Sequence, residues 1–167
     1  SYIVGKQYGI NDFRKIRTGL QMKASMQAEK NGRPHANLDE IYDFISQNTS
    51  YELDWNEVKE TELQVELDSV YCNDELMEVF NYAKMHNKRV IITSDMYLNA
   101  KQISRMLEKC GYTGYDALYV SADEHVTKYR GDIYPYVQKK ENVASEDILH
   151  IGDNKASDYD NAVKAGW

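Results

Sequence analysis

The chain has 167 residues, of which 42% are apolar and 28% are charged, and its formal net charge is −7. This length suits one domain with a small insert, and the apolar content is enough to close a core, which argues against global disorder. The negative charge disfavours nucleic acid and anionic membrane surfaces as partners, and no window approaches the roughly 18 apolar residues of a membrane span. We therefore expect a soluble, cytoplasmic protein with no nucleic-acid partner and no membrane insertion.

Residues 1–86 carry the pattern of a helical region. Apolar side chains recur at intervals of three or four residues in runs that begin at Phe13, Leu38, Val58 and Leu76. Asn37, followed three residues later by Glu40, is typical of a helix start. No strand is predicted in this half of the chain.

Residues 87–167 alternate short apolar runs with helical patterns. Strands are predicted over Arg89–Thr93, Ala117–Val120 and Asp147–Ile151, and helices over Ala100–Lys109, Ile133–Lys139 and Ser157–Ala165. The first strand is an unbroken β-branched run, as expected of a strand covered on both faces. Three successive strand-and-helix units predict a parallel α/β sheet.

Polar residues follow each predicted strand. Ser94 and Asp95 come after the first, Lys128 comes in the loop after the second, and a stretch from Gly152 to Asp158 comes after the third. Because ligands of open parallel sheets bind beyond the carboxyl ends of the strands, we expect these groups at one edge. A hydroxyl and an ammonium suit phosphoryl oxygens, and carboxylates suit Mg²⁺, so the pattern indicates phosphoryl chemistry.

These residues resemble three motifs of the haloacid dehalogenase superfamily. The strand ending in Ser94 resembles the second motif, Lys128 before a helix resembles the third, and HIGDNKASDYDNAVKAG, residues 150–166, resembles the fourth. The stretch SDMYL, residues 94–98, resembles a subgroup associated with bacterial glycosyltransferases. The resemblance implies a Rossmannoid parallel sheet over residues 87–167 with an α-helical cap over residues 1–86.

The resemblance also implies a role for each matching residue. Ser94, Asp95 and Lys128 would bind the phosphoryl group, and Lys128 would also be catalytic. Asp153 would contact Mg²⁺, and Asp158 would position the metal or Lys128. The two aspartates are one residue further apart than is usual in the family, so Asp160 is an alternative to Asp158.

The nucleophile motif of the family is absent from this sequence. Its pattern is close to DxDxT at the end of an apolar strand, whereas Asp12, the only early aspartate, has no preceding strand and no second Asp two residues later. In the family this strand is central, so we expect the sheet to be incomplete and the chain alone to be inactive. Unpaired backbone groups in such a slot would cost about 1 to 3 kcal/mol each if buried.

Three interpretations of the missing motif stay open. The chain is a segment of a longer Mg²⁺-dependent phosphohydrolase that acts on a small phosphomonoester such as a sugar phosphate, with a glycosyltransferase domain in the rest of that chain. Alternatively, it is a non-catalytic binding or scaffold domain, or its sheet is completed by another chain. A receiver-like signalling module is a rival class, but such modules lack a large helical insertion and a GDxxxxD stretch.

Overall fold

Helices make up most of the fold in the computed structural model, which describes residues 1–167. Five of them come before the first strand: α1 (Tyr2–Gln7), α2 (Phe13–Lys30), α3 (Leu38–Gln47), α4 (Trp55–Ser69) and α5 (Asp74–Met85). The predicted helical first half is confirmed. None of the helices combines the length and the apolar character that crossing a membrane requires.

The second half begins with a strand, a helix and a parallel strand. Its elements are β1 (Ile91–Ser94), α6 (Ala100–Lys109), β2 (Ala117–Val120), α7 (Ser121–Glu124), α8 (Ile133–Glu141) and α9 (Asn161–Lys164). A 3₁₀ turn covers Ser145–Asp147, and a π-helical turn covers Lys155–Asp160. The molecule is therefore a mostly helical α/β protein with a small parallel sheet.

The sheet has two strands, in a register that pairs Ile91 with Ala117 and Ser94 with Val120. The parallel direction agrees with the prediction, whereas the third predicted strand, Asp147–Ile151, does not form. The backbone groups of residues 149–151 make no hydrogen bonds to other backbone groups, and the Leu149 side chain is 84% exposed. A strand needs a neighbour for its backbone groups, and this segment has none.

The side chains of β1 are less covered than the sequence pattern predicts. All four residues of the strand are half-buried, although Ile91 packs against the cluster around α8. One edge of β1 pairs with β2, and its other edge has no strand partner. The unpaired segment 149–151 is therefore the place where the sheet departs from the predicted three-strand pattern.

Local sequence accounts for several helix boundaries. Asn37 and Glu40 form a reciprocal capping box at the start of α3, and Asn99 and Gln102 form another at the start of α6. Beyond the end of α6, Gly111 adopts a left-handed backbone with φ of +85°. A left-handed backbone costs least at glycine, so Gly111 suits the position just beyond the end of the helix.

One apolar core spans the two halves of the sequence. It contains residues of α2, α3 and α4 together with Leu98, Ile103 and Val120 from the second half. A smaller cluster joins Ile133, Tyr134 and Val137 of α8 to Ala162 of α9. The helical region is thus packed directly on the segments that follow β1 and β2.

Candidate functional site

Asp95 joins the end of β1 to the loop that carries Lys128. Its two carboxylate oxygens accept hydrogen bonds from the backbone N–H groups of Lys128 at 2.9 Å and Tyr129 at 3.0 Å. The Asp95 carboxylate is therefore used to hold a loop in place. Its backbone contact positions Lys128 beside the end of the strand.

Lys128 and Asp158 form an ion pair that is largely removed from water. The Lys128 Nζ lies 2.7 Å from the Asp158 Oδ1, and the exposed fractions of the two side chains are 15% and 3%. Asp158 also accepts a hydrogen bond from the Asn154 backbone N–H at 3.0 Å, and the His150 Nε2 lies 3.2 Å from its Oδ1. Residues from two separate loops thus converge on one carboxylate.

These donors keep Asp158 charged. Burial alone would raise the pKa of the carboxyl group, but hydrogen bonds from Lys128, the Asn154 N–H and His150 outweigh burial and hold the pKa below its usual range. The Asp158 carboxylate consequently places a negative charge 2.7 Å from the Lys128 ammonium group.

Gly152 is needed for this arrangement because Asp158 lies directly against it. A Cβ atom at position 152 would lie 2.4 Å from the Asp158 Cγ and 2.5 Å from its Cβ. No side chain fits at that distance. The predicted fourth-motif stretch thus folds back on itself, with its first residues in contact with its later carboxylate.

The π-helical turn begins at Lys155, two residues before the predicted helix start at Ser157. The Asn154 side chain accepts hydrogen bonds from the N–H groups of Ala156 and Ser157 and caps the turn. Asn is among the residues that most favour this position. Ser157 is buried, and its carbonyl accepts a hydrogen bond from the Tyr134 hydroxyl.

Two residues near the site have roles that sequence reasoning missed. The Asn161 Nδ2 donates to the carbonyl oxygens of Lys128 at 2.9 Å and Tyr129 at 3.0 Å, so α9 also holds the Lys128 loop. The His150 ring packs edge-on against Tyr134, with 5.6 Å between ring centroids. Nothing in the local pattern distinguishes Asn161 from an ordinary polar helix residue, because its partners lie 32 and 33 positions away.

Ser94 and Asp153, the other two predicted site residues, take no part in the ion pair. Ser94 ends β1 and is half-buried, and its hydroxyl makes no hydrogen bond within the protein. Asp153 is exposed and makes no hydrogen bond or ion pair with its side chain. The contacts therefore join Asp95, Lys128 and Asp158 into one cluster, which Ser94 adjoins along the chain and to which Asp153 makes no side-chain contact.

The acidic residues do not by themselves form a metal centre. No group of three or more His, Cys, Asp and Glu side chains is arranged to hold a metal ion. The carboxylates of Asp95 and Asp158 are already satisfied by backbone N–H groups and by Lys128. Magnesium binding at Asp153 and Asp158, as predicted from the sequence, would need further oxygen ligands.

The helical region lies against the segments that follow both strands. The Leu38 N–H donates to the Tyr97 carbonyl at 2.9 Å, and the His35 Nε2 lies 2.7 Å from the fully buried Ser121 hydroxyl oxygen. Arg130, two residues after Lys128, donates to the Arg33 carbonyl at 3.1 Å. The loop between α2 and α3 therefore borders the Lys128 loop.

No protein-family model matches this sequence, and the search of curated proteins gave no match.

Proposed function

We propose that the chain is part of a phosphohydrolase of haloacid dehalogenase type, which acts on a small phosphomonoester. In this proposal Ser94 and Lys128 hold the phosphoryl oxygens, Asp95 fixes the Lys128 loop, and Asp158 positions the Lys128 ammonium group. The nucleophilic carboxylate comes from a strand that this sequence does not contain. The chain by itself does not turn over substrate.

The ion pair between Lys128 and Asp158 is the main support for the proposal. The two residues stand 30 positions apart in stretches that resemble separate motifs of the family, and their charged atoms are 2.7 Å apart. The tight contact of Gly152 with Asp158 explains why a glycine stands at the start of the Gly152–Asp158 stretch. A solvated lysine and an unrelated helix start would have neither contact.

In this proposal the missing strand lies between β1 and the segment 149–151. Ile91 of β1 packs against the α8 cluster, and the His150 ring packs on Tyr134 of the same helix. Both segments therefore contact the α8 cluster, and neither has a backbone partner on its free side. A strand between them would supply backbone partners to both.

Magnesium belongs to the proposal through the family resemblance, with Asp153 as the carboxylate assigned to it. The residues present do not form a complete Mg²⁺ site, since Asp153 belongs to no group of three or more His, Cys, Asp and Glu side chains that could hold a metal ion.

A second candidate is a non-catalytic binding or scaffold domain linked to a glycosyltransferase. The state of Lys128 favours this candidate. Its charge is already compensated by Asp158 at 2.7 Å, and its side chain is mostly buried. Such a lysine can serve the fold alone. For either candidate we propose a cytoplasmic bacterial protein, and a sugar phosphate is the substrate that the subgroup's association suggests.

Phosphatase assays on this chain and on the full gene product test the proposal. With p-nitrophenyl phosphate and Mg²⁺, we expect no turnover by the chain, turnover by the gene product, and loss of at least about a hundredfold in kcat on Lys128→Ala. Lys139→Ala, an exposed lysine in α8, is the control and should leave kcat unchanged. A gene product with no aspartate at the end of an added strand, or one that binds vanadate without turnover, would favour the scaffold.

A further inference from the structure

A large cleft lies at the opposite end of the sequence from the Lys128 cluster, between α1 and the start of α2. Its volume is about 920 Å³, and it shares no lining residue with the Lys128 cluster. This volume is at the upper end of the range typical of small-molecule sites, roughly 300 to 1,000 Å³.

Backbone geometry builds the cleft. Gly5 lets α1 approach α2 closely, since a Cβ atom there would lie 2.6 Å from the Phe13 Cβ. Gly9 and Asp12 both have left-handed backbones, with φ of +63° and +53°, and they turn the chain sharply between the two helices. The close approach and the sharp turn leave a recess with Lys6 on one wall and Arg14 and Lys15 on the other.

The charge of this recess contrasts with that of the whole molecule. Lys6, Arg14 and Lys15 line it, and none of the three forms an ion pair or a side-chain hydrogen bond within the protein. Asp12 is the only acidic residue in the lining, so the recess carries two net positive charges on a chain whose formal net charge is −7. Three like charges that share a recess repel each other, and a bound anion relieves that repulsion.

The three basic residues at the start of α2, Arg14, Lys15 and Arg17, do not share one role. The Arg17 side chain is buried and paired with Glu62 at 2.9 Å, so it belongs to the core. Arg14 and Lys15 are exposed and have no such partner. The cations of the recess are therefore not explained by the packing of α2.

We propose that this cleft binds a phosphorylated small molecule that carries at least two negative charges. Nucleic acid is a poorer fit, because a patch of three cations on an acidic protein releases few counterions. Tyr2, which also lines the cleft and is 76% exposed, offers a ring face to the organic part of such a ligand.

Calorimetric titration of the chain with pyrophosphate tests the proposal. We expect saturable binding that weakens at higher salt, and at least about a tenfold increase in Kd for the triple variant Lys6→Gln, Arg14→Gln, Lys15→Gln. The control triple variant Lys23→Gln, Lys30→Gln, Arg105→Gln removes the same number of exposed, unpaired charges elsewhere and should change Kd by less than about twofold.

Three outcomes would overturn the proposal: no saturable binding, an equal loss in both triple variants, or a loss on Lys128→Ala with none in the cleft variant. The last would move binding to the Lys128 cluster. Circular dichroism of each variant identifies misfolding, and in that case the single variants Arg14→Gln and Lys15→Gln, each expected to raise Kd, replace the triple.

Discussion

At the scale of single residues, Gly152 and Gly19 differ in the space that an added Cβ atom would find. Gly152 lies against the carboxylate of Asp158, whereas a Cβ at Gly19, inside α2, would meet no atom within 4 Å. Glycine inside a helix has a conformational cost that alanine avoids. The same substitution therefore has opposite effects at the two positions.

We predict that Gly152→Ala lowers the free energy of unfolding by about 1 to 3 kcal/mol, because the new Cβ overlaps Asp158 and forces it to move. Gly19→Ala, the matched control, should raise it by about 0.5 to 1 kcal/mol. Urea denaturation of the two variants measures both effects. A Gly152→Ala variant as stable as the parent would mean that Gly152 does not lie against Asp158.

Glu141 gives a second prediction for a single residue, concerning pH. Hydrogen bonds from Arg89 and Tyr119 hold the pKa of this carboxyl group below its ordinary value. A depressed carboxyl pKa contributes stability above the unfolded value of about 4.3, and this contribution is lost as the pH falls through the folded pKa. Glu141→Gln should therefore be less stable than the parent at pH 7, with a difference that shrinks below about pH 4.

Thermal unfolding at several pH values between 3 and 7 measures this difference. Glu60→Gln, at an exposed position of α4 with no side-chain hydrogen bond or ion pair, is the control and should follow the parent throughout. If the gap between Glu141→Gln and the parent stayed constant down to pH 3, the contribution of Glu141 would not come from its charge.

At the scale of elements, a buried ion pair joins α2 and α4. The Arg17 Nε lies 2.9 Å from the Glu62 Oε2, and the Tyr42 hydroxyl of α3 donates to the same oxygen at 2.6 Å. Burial and the Glu62 charge raise the pKa of Tyr42, so its hydroxyl stays protonated and remains a donor. The Arg17 guanidinium also lies 5.2 Å from the centroid of the Tyr97 ring, next to the candidate site.

We predict that Glu62→Leu destabilises the fold by about 3 to 5 kcal/mol, because it leaves the Arg17 charge buried without a carboxylate partner. The double variant Arg17→Met, Glu62→Leu should recover most of that loss, since no buried charge remains. Chemical denaturation of both variants measures the difference. Equal destabilisation of the two would mean that packing, and not the unpaired charge, sets the cost.

The predicted helices were confirmed most closely where their boundaries depend on near neighbours. The predicted range of α6, Ala100–Lys109, is the observed one, because the capping residues at Asn99 and Gln102 lie within three positions of each other. The predicted strand Asp147–Ile151 failed for the opposite reason. A strand requires backbone partners from elsewhere, and local alternation of side chains does not supply them.

At the scale of the whole molecule, the shared core connects the two sequence regions. Residues of α2, α3 and α4 belong to the same buried cluster as Leu98, Ile103 and Val120. Hydrogen bonds from Lys109 to the carbonyls of Leu67 and Asp68, at 2.6 and 2.9 Å, add to this connection. Separating the regions would expose apolar surface on both.

We therefore predict that the chain unfolds in a single cooperative transition, with calorimetric and van't Hoff enthalpies that agree. Scanning calorimetry makes this measurement, and residues 1–86 expressed alone should show no folded circular dichroism spectrum in the near ultraviolet. Two resolved transitions would show instead that the helical region and residues 87–167 are separate folding units.

Local sequence was sufficient for α2 to α6, for α8, and for the approximate positions of β1 and β2, whereas the short helices α1 and α7 were not predicted. Tertiary structure decided the contacts between distant positions. These are the ion pair of Lys128 with Asp158, the contact of Gly152 with that carboxylate, and the hydrogen bonds from Asn161 to the Lys128 loop. The same holds for the unpaired segment 149–151 and for the recess between α1 and α2. Helix caps and apolar periodicity act over a few residues, whereas ion pairs, sheet edges and clefts form only when the chain brings remote segments together.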